Sequence, residues 1–123
     1  MPTLIVMLGG ALGAGARHLV NRATLPWFGS GFPWGTLTVN IFGGLLMGLL
    51  TGVLVRYGGN ANARLFLATG VLGGFTTFSA FSLDIVALAD RGQPALALGY
   101  AALSVGGAAA ALVLGLELAR AAT

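Results

Sequence analysis

The stretch Gly70-Val71-Leu72-Gly73-Gly74-Phe75-Thr76-Thr77-Phe78-Ser79-Ala80-Phe81-Ser82 decides the fold. It lies inside an otherwise apolar run, Leu65 to Ala89, that is long enough to cross a membrane. Two adjacent glycines, two threonines and two serines stand in the middle of that run. Hydroxyls can bond back to their own helix, and glycines can pack neighbouring helices. At this density the pattern points instead to an interrupted helix, with Gly73-Gly74 as the place where it breaks. Broken backbone at membrane depth must be satisfied by protein, water or an ion. Freed carbonyls favour a cation, and freed N–H groups favour an anion.

The rest of the chain makes the membrane reading firm. Of 123 residues, 57% are hydrophobic and only 7% charged. A soluble domain carries about a quarter charged residues, so this chain could not cover its own surface in water. There is no Cys, which excludes disulfides and thiolate metal sites. With one His and three acids (Asp84, Asp90, Glu117), no nucleophile–base set is visible, and an enzyme is not the expected reading. The net charge of +3 comes from arginines scattered singly, not from a nucleic-acid patch.

Outward from the interrupted run, the sequence predicts an all-α integral membrane protein forming one domain over residues 1–123. Four transmembrane helices are expected over about 3–20, 34–55, 65–89 and 95–118, with the break in the third. No basic n-region precedes the first apolar run, so it reads as a retained span. Asn21 to Pro33 and Arg56 to Arg64 read as polar connections. Asp90-Arg91-Gly92-Gln93-Pro94 reads as a tight turn, with the proline placed to start the next helix. Trp27, Phe28, Phe32, Trp34 and Tyr57 cluster at span ends, where amphipathic rings meet the membrane interface.

Four spans place Arg56, Arg64 and Arg120 on one membrane face and Arg17, Arg22 and Arg91 on the other. Orientation normally follows an excess of Lys and Arg on the cytoplasmic side, and here there is no excess. One reading is weak topological preference, with oppositely inserted copies pairing about an in-plane two-fold axis. The other is that slightly misplaced boundaries produce the tie.

Gly44, Gly48 and Gly52 recur on one face of the second span, as do Gly9 and Gly13 on the first and Gly70 and Gly74 on the third. Small residues at this spacing let membrane helices approach closely. Among residues able to carry chemistry, Phe78 and Phe81 lie three apart and project from one face. Their ring edges carry partial positive charge and could contact a small anion weakly enough to release it. Asn40 can donate to an anion or bridge two helices. Tyr100 and Ser104 share a face of the fourth span, but the track continues as apolar Ala108 and Leu112. Arg17 and Asp84 lie near enough to span ends to snorkel or pair. His18 suggests no role, and Glu117 with Arg120 reads as a solvated pair.

Gly9-Gly10 with Gly13-Ala14 and Arg17, Gly35-Thr36-Leu37 with Val39-Asn40, and the run Gly73 to Ser82 together resemble the Fluc (CrcB-type) fluoride channels over the whole chain. The third-span motif is the specific part. The resemblance implies an antiparallel, dual-topology homodimer with two parallel pores that exports cytoplasmic fluoride passively across the inner (plasma) membrane. Carried over by position, it implies that Asn40, Phe78, Phe81, Tyr100 and Ser104 line the fluoride pore and that Arg17 stands at a vestibule. It also implies that main-chain carbonyls of Gly73 and Thr76 hold a structural Na+ at the dimer centre. Ala80 departs from a common Thr, and Ala108 and Leu112 shorten the polar track. The competing reading is a small dual-topology drug/proton antiporter. It shares size and charge balance but needs a buried carboxylate, and the first span has none.

Overall fold

The computed structural model describes residues 1–28, 32–58, 60–76 and 78–122, without the side chains of 25–28, 79 and 80. The described residues form helices and turns, with no strand among them. In chain order the helices are α1 (Pro2–Phe28), α2 (Trp34–Tyr57), α3 (Ala61–Arg64), a π segment (Leu65–Leu72), α4 (Gly73–Phe75), α5 (Phe78–Asp90) and α6 (Pro94–Ala122). Among the described residues, three helices are long and apolar enough to cross a membrane: Pro2–Thr24, Trp34–Tyr57 and Pro94–Ala122. The chain is a multi-pass membrane protein.

The helix ends follow backbone chemistry more than hydropathy. α1 runs on through Asn21 to Phe28, the first part of the segment, Asn21 to Pro33, that reads as a connection in the sequence. Thr24 stays within the helix, donating its hydroxyl to the carbonyl of Val20 at 3.0 Å. α2 ends at Gly58, whose positive φ of 64° supplies a left-handed cap and whose N–H donates to Leu54 at 2.7 Å. Asn60 then starts α3 by accepting from the Ala63 N–H at 2.7 Å. The turn after α5 closes as the sequence predicts. Gly92 (φ 76°) donates to Ala89, Gln93 donates to Leu88, and Pro94 opens α6.

The third apolar run is interrupted, but not at its glycines. Gly73 has helical φ and ψ of −62° and −38°. The chain leaves the helix at Thr76, which is extended at φ −99° and ψ 151°. Glycine permits a break without demanding one. Here Gly74 is held against α1, because a Cβ on it would lie 2.9 Å from the Gly10 Cα. The side of α1 carrying Gly9, Gly10 and Gly13 meets Phe66, Gly70, Val71, Gly74 and Phe75 backbone to backbone. Over the same contact the helix widens into the π segment, where Gly73 N–H reaches back to Ala68.

A second glycine seam joins α2 to α6. Gly44, Gly48 and Gly52 pack on Ala108, Leu112 and Ala119, and Gly115 packs back on Leu45 and Leu49. Both ladders therefore build the bundle within one chain. α5 packs on α6 by side chains instead. Leu37, Phe81, Leu88, Ala97 and Tyr100 form the buried cluster, with Phe32, Ile41 and Ile85 packed around it. Phe32 thus joins the core, its ring 4.6 Å from Trp34 and edge-on to Tyr100 at 5.5 Å.

Candidate functional site

The break at Thr76 sets up the site. Thr76 N–H and Thr76 hydroxyl both donate to the Leu72 carbonyl at 3.0 Å, fastening the end of α4 before the chain turns away. α5 restarts at Phe78, so its first rings project beside the break. Gly43 of α2 leaves room for Thr76, whose methyl occupies the space a Cβ would need.

A cleft of about 390 Å³ opens between α2, the break and α6. Asn40, Phe78, Phe81 and Ser104 line it, so four of the five predicted pore residues come together from three separate segments. Phe78 and Phe81 rings lie 5.8 Å apart and tilted by 53°. They differ in burial: Phe81 is 7% exposed and Phe78 is 78% exposed. Ser104 is 3% exposed, and its Oγ has no hydrogen-bond partner among the described residues. Below Ser104 the wall becomes apolar, through Val105, Ala108, Leu112 and Met47. The two departures in α6 therefore face the cleft.

Tyr100 does not line this cleft. It is fully buried behind Phe81, with ring centroids 5.3 Å apart, and donates its hydroxyl to Asp84 Oδ2 at 3.0 Å. The Thr36 and Ser104 hydroxyls are its electrostatic neighbours, but the contact with hydrogen-bond geometry is the one to Asp84. The sequence reading missed this pairing, and the turn holds the signal that could have found it: positions 84 and 100 are equidistant from Gly92, which an antiparallel hairpin brings level. Thr76, Gly43 and Met47 also border the cleft without having been singled out as pore residues; only the fold places them there.

Arg17 lines neither this cleft nor the second cavity described below. Its Nε is buried without a hydrogen-bond partner among the described residues. It stands one turn beyond Gly13, which packs on Phe75, so it lies level with the break. Gly73 is exposed, and a Cβ on it would come no nearer than ordinary contact, 3.7 Å, to the Ala68 carbonyl. Thr77 and the side chains of Trp27, Phe28, Ser79 and Ala80 lie outside the described residues. The exposed pair at the end of α6 forms as read, Arg120 donating to Glu117 at 2.6 Å.

The profile of a family described as "CrcB-like protein, Camphor Resistance (CrcB)" matches residues 4–116. The chain belongs to the CrcB-like family. Among its CrcB-like relatives, a protein of Mesorhizobium japonicum is 55% identical over 95% of this chain and 94% of its own length. One of Sphingopyxis alaskensis is 56% identical over 94% of this chain and 92% of its own. One of Chelativorans is 53% identical over 95% and 94%. Each of these is named a fluoride-specific ion channel, FluC.

Proposed function

We propose that this chain forms a fluoride-selective channel that lets cytoplasmic fluoride leave passively across the inner membrane. The observation that carries the reading is the shared cleft of Asn40, Phe78, Phe81 and Ser104, with a buried Ser104 hydroxyl that makes no hydrogen bond among the described residues. A buried donor without a partner costs about 1–3 kcal/mol, and a passing anion satisfies it. Asn40 adds an amide donor and the two rings add edges, so the ion exchanges hydration for several weak contacts and can still leave. Fluoride enters cells as the neutral acid and is trapped as the anion at higher internal pH; a pore lets it run down its gradient.

The domain spans the whole chain, with α3 to α5 as a fourth, broken crossing. At about 1.5 Å per residue neither half of that crossing covers about 30 Å of hydrocarbon alone. The working unit is an antiparallel dimer with two pores. The balanced arginines support insertion both ways, and the exposure of Phe78 beside buried Phe81 supports a partner at that ring. Tyr100 acts behind the pore wall, holding Phe81 and Asp84, and Arg17 serves the vestibule at the level of the break.

A structural Na+ fits the donors this chain offers. Thr76 leaves the helix with its carbonyl outside the α4 ladder, and Gly73, three residues earlier, is exposed. Main-chain oxygens suit a hard cation. Two carbonyls from each of two chains would hold it and draw the dimer together.

The test is fluoride efflux from liposomes containing purified protein. Flux well above that of empty liposomes is expected. Background flux from folded, dimeric protein overturns the reading.

A further inference from the structure

We propose that a second cavity, at the opposite side of the Phe81–Tyr100 wall, holds the phosphate headgroup of an anionic phospholipid. The cavity measures about 350 Å³ and is bordered by Arg22 from α1, Trp34 and Thr36 from the first turn of α2, and Asp84 and Arg91 at the end of α5. Its level in the bundle is the first argument. α1 ends at Phe28, α2 begins at Trp34, α5 ends at Asp90 and α6 begins at Pro94. All four ends fall in the layer where hydrocarbon gives way to headgroups.

Charge is the second argument. Two guanidinium groups from distant parts of the chain line one cavity, and their forks match phosphate oxygens. Among the described residues no side chain caps the first turn of α2 and no acid lies in it, and Pro33 to Thr36 border the cavity, so the positive end of the helix faces the same space. The acid present, Asp84, is engaged by the Tyr100 hydroxyl. Shape is the third. Phe32, Trp34 and Leu88 give the cavity an apolar wall, which suits the glycerol and first methylenes of a lipid. Basic pockets between membrane helices bind anionic headgroups in this way. The proposal stands apart from what the pore conducts.

The experiment is native mass spectrometry of detergent-purified protein with equimolar phosphatidylglycerol and phosphatidylcholine of identical chains. Phosphatidylglycerol is expected to be retained about tenfold better, and R22Q/R91Q to bring it down to the phosphatidylcholine level. R56Q/R64Q removes the same charge from the other end of the bundle and should leave retention unchanged. R22K/R91K keeps the charge without the forks, and intermediate retention is expected. Undiminished phosphatidylglycerol in R22Q/R91Q overturns the site. Equal loss in R56Q/R64Q overturns it too, in favour of net charge. Displacement of the lipid by excess inorganic phosphate overturns the lipid assignment in favour of a free oxyanion.

Discussion

The two halves of the interrupted third crossing are built on opposite rules. The first half, α3 through α4, meets α1 through glycine backbone: Gly9, Gly10 and Gly13 against Gly70, Val71 and Gly74. It is apolar apart from Asn62, Arg64 and Thr69, and presents little chemistry. The second half, α5, packs through side chains, with Phe81 and Leu88 in the core and Asp84 bonded to Tyr100. One half anchors and the other displays. Close backbone packing tolerates no added atom, whereas side-chain packing tolerates exchange at a graded cost.

The comparison breaks most readily at the anchor. Gly74→Val places atoms where the Gly10 backbone already lies. The expected cost is more than about 3 kcal/mol, read as loss of monodisperse protein on size-exclusion chromatography. Normal yield and elution would mean that the two backbones can part, and that the anchor is not one.

Next come the rings of α5. Phe78→Ile removes a ring edge; with an edge–anion contact the size of an aromatic pair contact, about 0.5–1.5 kcal/mol, flux falls by up to about tenfold. Because Phe78 is exposed in the single chain, melting of the monomeric fold should hardly change. Phe81→Ile should lower both flux and thermal stability, since that ring is also core. Equal effects on stability would erase the division between the two rings.

Tyr100→Phe tests the link from α6 to the displaying half. It leaves Asp84 without its donor, at a cost of about 1–3 kcal/mol in melting experiments. No change would mean that water replaces the hydroxyl without loss. The smallest effect belongs to a glycine outside either seam. A Cβ on Gly15 meets nothing within 4 Å, so Gly15→Ala should shift stability by less than about 1 kcal/mol. A large loss there would place that face in a contact with a second chain.

Much of this was legible in the chain itself. Apolar runs between few charges mark membrane helices, because the bilayer admits little else. The turn at Gly92-Gln93-Pro94 reads directly, since φ > 0 and a first-turn proline each demand a particular residue. The glycine ladders announced close packing without naming their partners. The site was half legible. Asn40, Phe78, Phe81 and Ser104 could be singled out by type and by resemblance, but spacing along single helices grouped Tyr100 with Ser104. The fold instead turns Tyr100 behind the wall to Asp84, because a hydroxyl buried in the core takes the nearest carboxylate.

The interrupted run shows where the boundary lies. Local sequence determined that a polar break must occur between Gly70 and Ser82, since so many hydroxyls and glycines are costly in continuous apolar helix. It could not determine the breaking residue, because a glycine pair is as serviceable for close packing as for a bend. Tertiary structure decided that. α1 occupies the side of Gly70 and Gly74 and keeps them helical, and the chain departs only where that cover ends, at Thr76.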